Sequence, residues 1–372
     1  MEPSGDGFLK LKDDIARGIS DGIPQGCREE VRFILSGEVS SIYKKNDKVR
    51  KVHNVVFLSS FEAAERFQGR LGKIGNIVSD GRPILGLDAR SLLEILLETD
   101  THGFLVPAHI WTPWFSVLGS KGGFDDMEEC FEDLTKHIFA VETGLSSDPL
   151  MNWRLSQLDR FVMMSNSDAH SPQKLGREAT VFDGPVSYQA MYRAMKDATK
   201  DLLGTVEFYP EEGKYHYDGH RQCQTRLHPQ ETIKNKGLCP VCGKPVTVGV
   251  MARVEELADH PEGRKSPKAR PYYSLVPLAE IIAEARGVGV SSKKVQADYF
   301  EMLSTLGNEL FILREIPIDR IAKSAGALVA EGIRRVREGR LHIAAGYDGE
   351  YGTIDIFSDE ERNTAKEQMT LF

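Results

Sequence analysis

Asp168 and His170 lie two residues apart in Ser165-Asn166-Ser167-Asp168-Ala169-His170, directly after the apolar run Val162-Met163-Met164. A carboxylate and an imidazole at the end of a buried strand stand where α/β enzymes build their sites. Oxygen and nitrogen donors this close can share a divalent ion such as zinc or manganese. Three further donors each adjoin an apolar run: Glu38 after Phe33-Ile34-Leu35-Ser36-Gly37, His53 before Val55-Val56-Phe57-Leu58, and His109 after Phe104-Leu105-Val106-Pro107-Ala108. Glu142 closes a fourth run, Ile138-Phe139-Ala140-Val141. Singly, each has a structural reading, such as a helix cap for Asp or a hydrogen-bonded surface site for His. Donors delivered one per strand are what a barrel gathers at one rim. Glu38, His53, His109, Asp168 and His170 together therefore predict a metal centre, with Asp168 and Glu38 as its catalytic carboxylates.

A second constellation is His220-x2-Cys223 followed by Cys239-x2-Cys242. Two donor pairs about fifteen residues apart make a tetrahedral zinc knuckle, and the glycine after Cys242 lets backbone amides turn toward the thiolates. Four protein ligands leave no open position, so this ion is structural. His216 and His228 compete for the fourth place, and spacing favours His220.

The elements that must position these groups follow from periodicity. Residues 1–205 alternate apolar strand-like runs with helical stretches such as Ser91–Glu98 and Met127–Lys136, the pattern of an α/β barrel. A helix over Val186–Leu203 closes this domain. Residues 206–258 form the small zinc-binding module. In 259–372, a basic, proline-bearing loop leads into a mainly helical C-terminal domain, with apolar spacing over Pro277–Ala285, Ser292–Leu306 and Ile318–Arg337.

The chain has 372 residues, 41% of them hydrophobic, enough for a sizeable core and two or three domains. No apolar run approaches the roughly 18 residues of a membrane helix. No secretory leader is visible either, so a cytoplasmic chain without disulfides is expected. Cys27 and Cys130 read as ordinary thiols. The net charge of −8 is unevenly spread: residues 214–270 hold 11 Lys and Arg against 6 Asp and Glu, a local balance of +5. Within it, Arg264, Lys265, Lys268 and Arg270 beside Tyr272 and Tyr273 could track phosphates and stack a base. The reading as a solvated linker stands beside that one. No Gly-x4-Gly-Lys-Ser/Thr string occurs, which sets aside an ATP-driven helicase.

The order Glu, His, His, Asp-x-His resembles the later ligand motifs of the PHP (polymerase and histidinol phosphatase) superfamily. Its members are distorted β/α barrels that hydrolyse phosphoesters with two or three metal ions. Whole strings narrow the resemblance: Ser36-Gly37-Glu38-Val39-Ser40-Ser41-Ile42-Tyr43, Pro107-Ala108-His109-Ile110-Trp111-Thr112-Pro113-Trp114, Glu142-Thr143-Gly144-Leu145-Ser146-Ser147-Asp148, the zinc segment, and Gly346-Tyr347-Asp348-Gly349-Glu350-Tyr351-Gly352 are similar to the endonuclease Q family. The resemblance covers nearly the whole chain. It implies a DNA repair endonuclease that cuts 5′ to deaminated bases, such as uracil and hypoxanthine, and to abasic sites. Zinc, manganese or magnesium would occupy the barrel. Trp111, Tyr347 and Tyr351 would face DNA carrying the damaged base, although Tyr347 and Tyr351 also suit a tight turn between two strands. A sliding-clamp contact is not legible. The superfamily opens with a His-x-His strand, whereas the first histidine here is His53. The expectation is thus a barrel lacking its first ligands. The alternatives are a small-molecule phosphoesterase, or a DNA-binding protein whose catalysis is impaired by the missing first motif.

Overall fold

A two-residue turn at Asn46-Asp47 folds the strand Leu35–Lys45 back onto Lys48–Leu58, pairing eleven residues with eleven from Lys45↔Lys48 to Leu35↔Leu58. Both turn residues have positive φ (53° and 58°), the conformation of tight hairpin turns and one that Asn and Asp tolerate. The structure is a computed structural model and describes residues 1–78, 81–358 and 360–361. In sequence, Glu38 and His53 stand at the edges of apolar runs. In the structure both lie inside this hairpin, because the polar Ser36, Ser40 and Ser41 continue the strand instead of ending it.

The hairpin is the centre of a four-stranded sheet. Ile84–Leu85 runs parallel to its first strand, and Phe104–Pro107 runs antiparallel to its second. Strand alternation sends Val52 and Val56 to one face and Phe57 to the other. On the first face pack the helices Phe61–Leu71, capped by Ser60, and Ala89–Thr99, capped by Asp88. Phe67, Leu92, Leu93 and Leu96 from these helices are almost fully buried. Phe57 stacks on Phe104 beneath Tyr188 and Tyr192, in a second core cluster. The helix bearing those tyrosines spans only Tyr188–Lys196. Leu202 already belongs to the strand Leu202–Glu207, so the helix expected over Val186–Leu203 is half its length.

Two short parallel strands follow, Ala140–Glu142 and Val162–Met164, then the antiparallel pair Ala179–Phe182 and Leu202–Glu207. The described strands thus sit in separate hydrogen-bonded sheets, all but one of them containing antiparallel pairs, and not in one ring of parallel strands. The fold is mixed α/β, and it departs in this way from a regular barrel.

One step past the Val206↔Ala179 pair, Glu207 and Glu178 are both buried carboxylates, 0% and 2% exposed. One oxygen of each has no partner. The Thr143 and Ser165 hydroxyls donate to the other Glu207 oxygen at 3.0 and 3.2 Å. Burial outweighs these bonds and pushes Glu207 up from 4.5 to about 8, while burial and the neighbouring Glu207 carry Glu178 well above its ordinary value. The folded state then holds a proton that the unfolded state releases near pH 4.5, so stability falls as pH rises from about 4.5 to about 8. Glu207→Gln is expected to raise the melting temperature more at pH 8 than at pH 5. Equal shifts at both pH values would rule out a protonated Glu207.

The chain divides into two compact units. The first comprises Met1–Lys10, Arg32–Tyr272 and Ala345–Tyr351; the second comprises Leu11–Val31, Tyr273–Ala344 and the described residues from Gly352 on. The basic loop 259–272 therefore belongs with the first unit, not with the helical C-terminal region, and so does the segment 345–351. The second unit is helical as expected, with Leu278–Arg286, Lys293–Leu306, Glu309–Arg314, Ile318–Ala325 and Ala327–Glu338. The helix read over Ile318–Arg337 is two helices, because Gly326 takes φ 90° and ends the first. Ile281, Ile282, Val295, Ile312, Ile321 and Ile333 form this unit's interior. No described helix is long and apolar enough to cross a membrane.

Candidate metal centres and nucleic-acid interface

Glu38, His53 and His109 converge because of the hairpin register. Ser40 lies opposite His53, which puts Glu38 two residues away on the same sheet face. His109 follows the neighbouring strand, Phe104–Pro107. His53 Nδ1 lies 2.7 Å from Glu38 Oε1 and 3.2 Å from His109 Nε2, and His109 Nε2 lies 3.5 Å from Glu38 Oε1. Ligands about 2.1 Å from a tetrahedral ion stand about 3.4 Å apart, so the three donors fit one shared cation. Two imidazoles and a carboxylate are also the donor chemistry of zinc and manganese sites.

The supporting contacts are built for orientation. The Thr112 hydroxyl lies 2.8 Å from His109 Nδ1, which leaves Nε2 facing the cluster. Glu142 accepts the His109 backbone N–H at 2.7 Å and the Asn166 amide at 2.7 Å, so it holds the strand end in place. His109 has φ 30°, and a Cβ on Gly144 would stand 2.4 Å from His109 Cβ, so only glycine fits there. Burial works to raise the Glu38 carboxyl, yet hydrogen bonds from His109 and His53 hold it well below the usual carboxylate range. Burial pushes His53 down. In His109 burial acts the same way, but Glu38, Glu142 and Asp168 outweigh it and hold the ring up. Arg82 adds a guanidinium 3.2 Å from Glu38, with its side chain 45% exposed.

Asp168 is close enough for its charge to act on His109 and Glu142, and it sits in a left-handed turn with φ 42°. His170 does not join the three-donor cluster. Its side chain is 84% exposed, and its Nδ1 lies 2.9 Å from the Asp168 carbonyl oxygen. Thr112, Asn166 and Arg82 had no signal of their own in the sequence. For Thr112 the cue would have been the His109-x2-Thr112 spacing.

The second donor group is His220, Cys223, Cys239 and Cys242, whose ligand atoms all lie within 4.8 Å of one another. His220 ends the strand Asp218–His220, and Cys223 lies in the turn that joins it to the antiparallel strand Thr225–Leu227. Backbone amides of Cys242 and Val241 and the Thr225 hydroxyl more than offset burial and bring the Cys239 thiol down to about 6, suited to a metal-binding thiolate. The rival histidines have other roles. His228 caps the helix Pro229–Lys234 in a capping box with Glu231, and His216 is buried, 4% exposed. Leu227, Cys239 and Val246 are the module's small core.

Among the residues expected to face DNA, several have other partners. Trp111 is 1% exposed and its indole N–H donates to Asn152, so no ring face is left for a base. The exposed indole is Trp114, at 48%. Arg264 is paired with Asp159 and donates to the Trp153 carbonyl, and Arg270 donates to the carbonyls of Ala198 and Thr199. Lys268 is exposed but donates to the Arg160 carbonyl, and Lys265 is exposed. The segment 345–351 is the tip between the paired strands His342–Ala344 and Thr353–Asp355, as the strand-turn reading has it. It is laced into the segment that carries the second donor group: Asp348 accepts from the Arg221 N–H and the Thr247 hydroxyl, and Tyr217 N–H donates to the Gly346 carbonyl. A Cβ on Gly219 would stand 2.3 Å from the Tyr347 ring, so that position must be glycine for the segment to dock. Arg226 covers the Tyr347 ring at 5.5 Å, while Tyr351 is 71% exposed.

Residues 277–340 match the family model described as the MJ0043 C-terminal domain. The chain is 36% identical over 273 residues to the uncharacterized protein MJ0043 of Methanocaldococcus jannaschii, covering 70% of this chain and 33% of that protein. It is 28% identical over 352 residues to the uncharacterized protein YqxK of Bacillus subtilis, covering 92% and 84%. The chain thus spans a third of the length of the first relative and most of the second. The crystal structure of the lesion-specific endonuclease PfuEndoQ from Pyrococcus furiosus aligns with TM-score 0.80 at 30% identity, over 98% of this chain and 85% of that one. An endonuclease Q complex with a 27-mer duplex carrying an abasic lesion at its active site aligns with TM-score 0.78 at 30% identity, over 96% and 83%. With that fold matched across both units and the histidine–carboxylate cluster set within it, the chain belongs to the endonuclease Q family.

Proposed function

We propose that this chain is a metal-dependent DNA repair endonuclease that hydrolyses the phosphodiester 5′ to uracil, hypoxanthine or an abasic site. The observation that carries the reading is the Glu38–His53–His109 cluster within a fold shared with a lesion-specific endonuclease. Glu38 Oε1, His53 Nδ1 and His109 Nε2 would hold a divalent ion, and Asp168 and His170 are the proposed further ligands. Such ions, when bound, stabilise charge on the scissile phosphate and make water a better nucleophile. Thr112 keeps the His109 ring from turning, and Glu142 fixes the backbone from which that ring projects. Arg82, exposed beside Glu38, is placed to pair with a non-bridging phosphate oxygen. A base that is mispaired or absent costs less to extrude, which supports selection of damaged positions. The proposed zinc at His220, Cys223, Cys239 and Cys242 is structural.

The test is cleavage of duplexes carrying one uracil, hypoxanthine or abasic site, with manganese or magnesium, mapped to nucleotide resolution. A metal-dependent single nick 5′ to the lesion is expected. If the metal-loaded protein leaves all three duplexes intact and hydrolyses p-nitrophenyl phosphate, the small-molecule phosphoesterase reading replaces this one.

A further inference from the structure

The chain contains three tryptophans, and two of them are buried: Trp111 at 1% and Trp153 at 5% exposure. Trp114, at 48%, is held open by the loop that follows His109. The Thr112 hydroxyl that meets the His109 ring also bonds to the Trp114 carbonyl at 3.1 Å, and Lys121 N–H donates to the Pro113 carbonyl at 2.8 Å. Phe115 adopts φ 63° and packs against His53, ring centroids 4.7 Å apart. The backbone reversal at Phe115 keeps one aromatic against the metal cluster and leaves its neighbour in water. An indole left outside costs the apolar burial it would otherwise gain.

Trp114 is not isolated. The Tyr215 ring, 37% exposed, meets it edge-on at 6.5 Å. Tyr215 is itself anchored, its carbonyl accepting from Val250 N–H at 2.7 Å. The next residue back, Lys214, places its ammonium 4.4 Å from the ring of the exposed Tyr351. A strip of aromatics with a lysine among them thus begins one loop from the cluster and runs onto the zinc module. Bases stack on such rings whatever their identity, and the cation serves the backbone.

We propose that Trp114 and Tyr215 form a stacking ledge for an unpaired nucleotide of the DNA substrate, with Lys214 and Tyr351 continuing it along the strand. The proposal rests on the nuclease reading above. It assigns the contact to unstacked bases, which present a π face that a paired duplex hides.

Because the other two indoles are buried, Trp114 is its own reporter. Binding is followed by anisotropy of a fluorescein-labelled oligothymidylate and of a labelled abasic duplex, while intrinsic tryptophan emission is recorded in parallel with unlabelled DNA. Quenching of emission is expected as both ligands bind. Trp114→Ala should weaken both affinities about tenfold, as loss of one stacked base predicts, while zinc content and melting temperature are kept. Trp114→Phe should keep affinity within about threefold and lose the emission change. Binding by anisotropy with unchanged emission and unchanged Trp114→Ala affinity would remove the ledge and leave the nuclease reading standing. Absence of binding to either DNA would overturn both.

Discussion

His109→Ala is expected to lower nicking of an abasic duplex by roughly a thousandfold or more, with duplex affinity nearly unchanged. His109 Nε2 is one of three donors meeting within 3.5 Å, and no other side chain in the cluster can replace it. Removing it takes one of the two imidazoles from the three-donor cluster and leaves Glu38 and His53 there, which weakens the hold on the ion. Thr112→Val is the informative partner. It deletes the hydroxyl beside His109 Nδ1, which also bonds to the His109 and Trp114 carbonyls, and losses of 10–100-fold are typical when a ligand's support is removed. A graded series, wild type above Thr112→Val above His109→Ala, in both metal content and rate is the expected result. Undiminished cutting by His109→Ala would place the reaction elsewhere in the molecule.

The second large effect concerns the zinc module. Purified protein should carry one tightly held zinc at His220, Cys223, Cys239 and Cys242, and Cys239→Ser should lose it. Structural zinc contributes about 10–16 kcal/mol of folding free energy in small domains, far more than the module's three buried core side chains can supply. Residues 214–250 should then lose amide-exchange protection while the helices on the hairpin keep theirs. Tyr217, whose N–H reaches the Gly346 carbonyl, should exchange with the module. Metal analysis finding no zinc in fresh wild-type protein would sink this expectation.

Much of the site was readable in the sequence, for reasons particular to each residue. The grouping of His220, Cys223, Cys239 and Cys242 was legible from local spacing, and His228 was separable only once its capping bond was visible. Glu38, His53 and His109 were legible as donors beside apolar runs; His109 does follow its strand, but Glu38 and His53 lie within theirs and not at the ends. The hairpin runs straight through Ser40 and Ser41, which are polar yet 0% exposed, so polarity did not mark the end of the strand. Arg264 and Arg270 read as free cations because their partners, Asp159 and the Ala198 and Thr199 carbonyls, lie 105, 72 and 71 residues away. Trp111 and Trp114 belong to an irregular loop with no period, so nothing in the string says which of them faces out. The two-unit division was also out of reach, since it depends on residues 11–31 joining helices that begin beyond position 277.

That division has a consequence for how the molecule can be made and inherited. The chain passes between its units at 10/11, 31/32, 272/273, 344/345 and 351/352. No single cut yields either unit as an uninterrupted polypeptide. On the ribosome, the pocket for Asp348 at Arg221 and Thr247 stays unfilled until about a hundred further residues have emerged. The module therefore completes its hydrogen bonding late, and a gene fragment ending before residue 345 would encode an unfinished one. Recombination that shuffles whole domains would tend to move the two units together, as one indivisible cassette.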